Sequence, residues 1–211
     1  MAKKDQLGLL LVTMEPPASL EEEFADWYDT EHVPERARIP GFMNALRFVC
    51  VSGWPRFVAV YDLQALEVLD SPGYRAVSGD LFSPWSKRVL GRVRGQYRAA
   101  AVQIFPGQAV TSRFVSMTLM RYRGITAAQE EGFVCQVQQS VAGFNQDHVL
   151  ALRIFRFDNG GTLDHLVMIE WSVGANMVEA VAPPSAFAKH LDLSNVYVQY
   201  WTRGHLPGVY H

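Results

Sequence analysis

The chain has 211 residues, 49% hydrophobic and 19% charged, with a net charge of −2. This composition excludes a disordered chain, and the length suits one large domain or two small ones. There is no run of like charges to form a basic stripe, and no apolar stretch reaches the roughly 18–20 residues that span a bilayer, so neither nucleic acid nor membrane is an expected partner.

The opening "MAKKDQLGLLLVTMEPP" sets two lysines before a short apolar run that ends at Glu15-Pro16-Pro17. Without a small-residue cleavage site it reads as a first strand, 7–14, not a signal peptide. A helix follows over 19–32. Leu20, Phe24, Trp27 and Tyr28 recur at i, i+4, i+7 and i+8, an apolar stripe for a sheet. Ser19 with Glu22 forms a capping box, Glu21 to Glu23 suit the positive helix end, and Pro34 stops the helix.

Strands at 44–51 and 55–62 flank "VSGWP", whose Gly and Pro mark a hairpin loop. A helical region spans 66–90. Within it "SPGYRAVSGDLFSPW", with Tyr74, Asp80, Phe82 and Trp85, implies either a lid or an irregular helix. A strand at 94–105 closes the first half. The second half repeats the order with a strand at 113–121, a helix at 126–140, strands at 147–157 and 164–172 around "DNGGT", a helix at 175–192 and a strand at 195–203.

Both halves read β-α-β-β-α-β, the ferredoxin-like pattern. Sequence echoes support a duplication: "LLLVTM" and "VSMTLM" are offset by 106 (115 − 9), "ALRF" and "ALRI" by 106 (151 − 45), "RFVAVYD" and "HLVMIEW" by 109 (165 − 56), and "PGF" and "AGF" by 102 (142 − 40). The strands are apolar on both faces, so the second face of each sheet needs cover. The expected fold is α+β: two tandem ferredoxin-like units, 1–106 and 107–211, packed sheet against sheet as a pseudo-dimeric α+β barrel with helices outside and a cavity between the sheets.

Glu31 stands four residues after Trp27, and His32 four after Tyr28, so the helix stripe ends in ionisable groups. Offsets of 102–106 map Glu31 into "FVCQV" (133–137) and His32 into "VCQVQ" (134–138), which hold no acid and no histidine. The sister half dispenses with both residues, which points to a site. In that reading His32, with an ordinary pKa of about 6.5, is the acid/base. Tyr28 donates to a substrate oxygen, Glu31 orients and Trp27 walls the pocket. The structural alternative stays open: His32 caps the helix end and Glu31 pairs with Arg36 or Arg38. Arg47 and Arg153 fall at one repeat position. They are either rim residues in both halves or a pair that holds an anionic ligand.

His148, His165, His190, His205 and His211 show no metal-ligand spacing, and no GxSxG or Walker motif occurs. Neither a metal nor another cofactor is expected. Met14, Met43, Met117, Met120, Trp171 and Trp201 read as core. Cys50 and Cys135, in apolar segments, read as buried free thiols of a cytoplasmic protein.

"WYDTEHVPERARIPGFMNALRF" resembles the signature of the EthD-like family, named for ethyl tert-butyl ether degradation. Trp27, Tyr28, Glu31, His32, Pro34, Pro40, Gly41 and Phe42 carry the match, and Val33 interrupts the Glu-His-Pro segment. The resemblance covers the first half. It implies the dimeric α+β-barrel fold, shared by cofactor-free monooxygenases, polyketide cyclases, isomerases and haem enzymes, and it constrains the reaction little. The expected function is a cofactor-independent enzyme acting on a small aromatic or polyketide-like molecule by cyclisation, isomerisation, decarboxylation or oxygen insertion. The rival is a non-catalytic carrier or stress-associated protein that binds such an apolar ligand. A homodimer partner is a further expectation.

Overall fold

The computed structural model describes residues 6–144, 146–178 and 180–200. Trp201, His205, His211 and the end of the strand expected at 195–203 lie outside the described residues. Eight strands alternate with short helices: β1 (Gly8–Glu15), α1 (Glu21–Trp27), α2 (Val33–Ala37), β2 (Leu46–Ser52), β3 (Phe57–Leu63), α3 (Pro72–Arg75), α4 (Pro84–Leu90), β4 (Arg94–Phe105), β5 (Ser116–Arg123), α5 (Glu130–Ala142), β6 (Val149–Asn159), β7 (Thr162–Trp171) and β8 (Leu191–Gln199). A π-helical turn, Tyr28–His32, joins α1 to α2.

The strands form one closed barrel in the order β1-β3-β2-β8-β5-β7-β6-β4, and every pairing is antiparallel. The halves therefore meet edge to edge, β2 with β8 and β4 with β6, so no strand edge is left unpaired. Within each half the order of the four strands is the same, fourth-first-third-second.

Alternation along β1 shows how the barrel fills. Leu9 and Leu11 point inward and pack with Phe48, Val60, Met117 and Phe155. Leu10, Val12 and Met14 point outward beneath α1 and α2. Side chains occupy the interior, and the cavity described below lies on the outer face. The expected cavity between the sheets is thus misplaced: a barrel of about eight strands has an interior just wide enough for its own side chains.

Strand register refines the repeat. Leu9 faces Asp62 and Met117 faces Glu170, so both strands are shifted by 108 residues (117 − 9 and 170 − 62). On the last strands Leu9 faces Ala101 and Met117 faces Tyr197, a shift of 96 (197 − 101). The second crossover is therefore shorter by 12 residues (108 − 96), and the helix expected at 175–192 does not form. Gly174 and Pro183-Pro184 leave only 3-10 turns at Ala175–Met177 and Ser185–His190. In the first half Pro72 and Pro84 split the 66–90 region into α3 and α4, each capped by the preceding serine, Ser71 or Ser83.

The arginine equivalence fails. Arg47 pairs with Ala59 on the outer face, whereas Arg153 pairs with Met168 and points into the barrel. A one-residue slip between aligned strands reverses every side chain. Arg153 donates to Asp62 (2.8 Å), Glu170 (2.8 Å) and Thr111 (2.8 Å), all buried. Asp62 also accepts from the Thr111 N–H, and Glu170 from Ser112, so this cluster ties the linker between the halves to both halves of the barrel.

Other expectations change locally. No side-chain cap starts α1, and Leu20, not Ser19, is its first flanking residue. Met43 is 43% exposed, whereas Met14, Met117, Met120 and Trp171 are buried. Cys50 is a buried free thiol, but Cys135 is exposed on α5.

Candidate functional site

The site begins with the π-helical turn. The Val33 N–H donates to the Tyr28 carbonyl, five residues back. Pro34 has no N–H for Thr30, and its ring would crowd that carbonyl in an unbroken α-helix; the wider turn makes room. The helix therefore continues through Pro34 to Ala37 instead of stopping there. It follows that residues five apart, not four, come to lie over one another. The His32 ring stacks on Trp27 with centroids 4.4 Å apart and meets Tyr28 edge-on at 5.3 Å.

Glu31 turns towards α4. Its Oε1 accepts from the Ser83 hydroxyl (2.5 Å) and the Ser86 hydroxyl (3.0 Å). Trp27 Nε1–H donates to the Ser86 oxygen (3.0 Å). Trp27, fully buried, and Glu31 thus clamp α4 to α1. Tyr28 donates to the Met14 sulfur at 3.8 Å, and burial, opposed by Arg47 and Arg36, pushes its pKa up to about 12. Arg47 pairs with Asp29 and lies between the rings of Tyr28 (4.4 Å) and Tyr200 (4.6 Å).

A cavity of about 330 Å³ opens beside this cluster. Its floor is the outer face of β1, with Leu10, Val12 and Met14, flanked by Tyr61 from β3 and by Gln96 and Arg98 from β4. Its roof is His32 and Arg36, with Tyr74 from α3 and Ser78, Gly79 and Phe82 from the segment between α3 and α4. Of the five residues singled out in the sequence, His32 lines this space; Trp27, Tyr28, Glu31 and Arg47 stand behind it or beside it.

Three polar atoms of the lining are buried without a partner: His32 Nδ1, Arg36 Nη1 and the Tyr61 hydroxyl. Buried polar groups are nearly always satisfied, so three in the lining of one cavity single it out as the candidate site. Burial first, then the charges of Arg36 and Arg47, holds the His32 pKa well below its ordinary value. Burial also drives the Tyr61 pKa well above the usual tyrosine value, with Tyr28 adding to the shift. At neutral pH the wall offers a neutral imidazole, a phenol O–H and a permanent cation.

Sequence reasoning missed Arg36, Tyr61 and Arg98 as cavity residues. Arg36 lies four residues after His32, which would have placed it on the His32 face had the helix been continued past Pro34. Tyr61 follows Phe57 and Ala59 on the outward face of β3, where its hydroxyl was a legible polar interruption.

The matching layer of the second half is packed with Phe133, Val137 and Val141 from α5. It also holds a pair that no motif announced: the buried His165 Nε2 lies 2.9 Å from Glu130 Oε2. Burial lowers the His165 pKa, and Glu130 opposes that shift. Among the described residues no three potential ligands cluster to hold a metal ion.

No family model and no curated protein matches this chain. Solved structures do. An anthrone oxidase-like protein aligns over 96% of this chain and 94% of its own, with a TM-score of 0.65 and 11% identity. A "putative monooxygenase" from Lactobacillus acidophilus NCFM aligns over 93% and 94%, with a TM-score of 0.56 and 6% identity. A heme-binding protein from Thermus thermophilus aligns over 92% and 91%, with a TM-score of 0.54 and 8% identity. The chain shares the α+β-barrel fold of these proteins. At such identities the likeness is one of fold.

Proposed function

We propose that this protein is a cytoplasmic, cofactor-independent enzyme of the EthD-like type, built from two ferredoxin-like units (1–106 and 107–211) that arose by duplication. It acts on a small aromatic or polyketide-like ketone in the outer-face cavity of the first unit. The observation that carries this reading is that His32 Nδ1, Arg36 Nη1 and the Tyr61 hydroxyl, all unpartnered, belong to the lining of one largely apolar cavity. In the tautomer protonated at Nε2, His32 Nδ1 offers a lone pair to an acidic C–H beside a carbonyl. The proton moves to His32, and the charge that develops on the carbonyl oxygen is met by Arg36 and Tyr61. Reprotonation at another carbon gives isomerisation, and attack on an internal carbonyl gives cyclisation. With dioxygen as co-substrate a CH2 becomes C=O, and the second oxygen atom leaves as water.

Trp27, Tyr28 and Glu31 act in this scheme as positioning residues. Trp27 and Tyr28 hold two sides of the imidazole, and Glu31 fixes Trp27 through Ser86. Haem suits the cavity poorly. The volume of about 330 Å³ sits at the small end for ligand pockets.

The test is turnover of anthrone under air, read as quinone absorbance, by the wild type and by His32→Ala. Loss of turnover in a variant that still melts normally supports the base. Stoichiometric binding without turnover by the wild type would make the protein a carrier. A haem-type absorption band after haemin titration would reinstate the cofactor.

A further inference from the structure

We infer that the cavity takes its ligand as an anion, an aromatic carboxylate or phenolate, with Arg36 as its counter-ion and Arg98 at the mouth. This rests on the binding cavity proposed above, not on the reaction. The chain supplies its own control. Among the described residues three arginines are buried: Arg36, Arg47 and Arg153. Arg153 has Asp62 and Glu170, and Arg47 has Asp29. Arg36, 2% exposed, forms no ion pair among the described residues.

A guanidinium cannot shed its charge by losing a proton, so burial leaves it to be met by partners. Arg36 Nη2 donates to the Val77 carbonyl at 2.8 Å, and Nη1 has no acceptor. The guanidinium carbon lies 5.1 Å from the Tyr74 ring centroid and 5.9 Å from that of Phe82, which soften the charge without cancelling it. Of the acids near it in sequence, Glu31 is held by Ser83 and Ser86, and Glu35 acts on Arg36 through space without forming an ion pair with it. The cavity lining thus includes a buried cation with an unpartnered donor.

The mouth repeats the sign. Arg98 lines the cavity and donates to the Tyr74 hydroxyl at 3.2 Å. Its exposed positive charge draws anions and raises their rate of entry. The lining also holds Leu10, Val12 and Met14, so the ligand joins a flat apolar body to an acidic group.

The experiment compares two probes of one shape, 2-naphthoate and 2-naphthamide, by calorimetric titration at neutral pH. The wild type is expected to bind the carboxylate at least about tenfold more tightly, which corresponds to about 1.4 kcal/mol. Arg36→Gln should bring the two affinities within about twofold, and Arg36→Lys should restore part of the preference. Arg98→Gln, an exposed change, should slow naphthoate binding at low salt and alter naphthamide binding little. Equal affinity of the wild type for both probes, or no binding of naphthoate, overturns the inference. So does a preference that survives in folded Arg36→Gln. A preference for naphthoate in a protein that never turns over a ketone keeps the inference and removes the enzymatic reading, so the two fail separately.

Discussion

The imidazole of His32 lies over the indole of Trp27, ring centroids 4.4 Å apart and planes inclined by 32°. Two residues five apart can stack in this way because the turn between them is π-helical. A helix turns by about 100° per residue, so one residue added to the turn would swing His32 off the cavity wall. Insertion of an alanine after the exposed Thr30 should therefore leave the barrel folded and weaken naphthoate binding by at least about tenfold. Circular dichroism and the same titration check it. Unchanged affinity would show that the π turn does not aim His32.

The Ser83–Glu31–Ser86–Trp27 chain predicts a stability effect separable from chemistry. Glu31→Ala leaves two serine hydroxyls and the Trp27 N–H with a broken network, a cost of about 1–3 kcal/mol. Denaturant unfolding should show this loss. Ligand affinity per folded molecule should fall by less than about threefold, since Glu31 does not line the cavity.

Arg153 is expected to be the costliest single arginine to remove. Arg153→Met leaves Asp62 and Glu170 buried without their cation, a loss of about 3–5 kcal/mol. Adding Asp62→Asn and Glu170→Gln should recover much of it. If the triple variant is no more stable than the single one, the two carboxylates are held by Thr111, Ser112 and Asn44 alone.

The buried histidines set a pH dependence. Folding lowers the pKa of both His32 and His165 below the ordinary value of about 6.5, so in that window the unfolded chain binds more protons. Their contribution is complete above about pH 6.5, and stability falls as pH drops from there towards the folded-state values. His32→Gln should reduce the acid sensitivity of the unfolding free energy between about pH 6.5 and 5 relative to wild type. An unchanged pH slope would mean that His32 is already charged in the native protein. As a base held neutral, His32 should also keep kcat/KM level to below pH 6.5.

Local signals were enough for most of the architecture. Alternating apolar strands, Gly and Pro at the hairpins and the recurrence of one element order identified an α+β barrel and both halves of its strand set, because strand alternation and turn chemistry are properties of neighbouring residues. His32 was legible too, as an ionisable residue on an apolar stripe that the second half lacks. Face assignment was not. A shift of one residue between "ALRF" and "ALRI" put Arg47 under the helices and Arg153 inside the barrel, and only the pairing of strands distant in sequence decides between the two.

The cavity likewise belongs to the tertiary structure. Its walls come from β1, β3, β4, α2 and the segment from α3 to Phe82, so no single stretch of sequence contains it. The π turn that aims His32 depends on Pro34 and on packing over the sheet, and it rotated Glu31 away from the site to which its spacing had assigned it. Arg36 shows the same limit most sharply. As a letter in the sequence it is one of several arginines with acids nearby; in the folded chain Glu31 is held elsewhere, Glu35 forms no ion pair with it, and the charge is left in the lining of a largely apolar cavity. Spacing along a chain records which groups are close in one dimension, whereas charge compensation is settled among groups brought together in three.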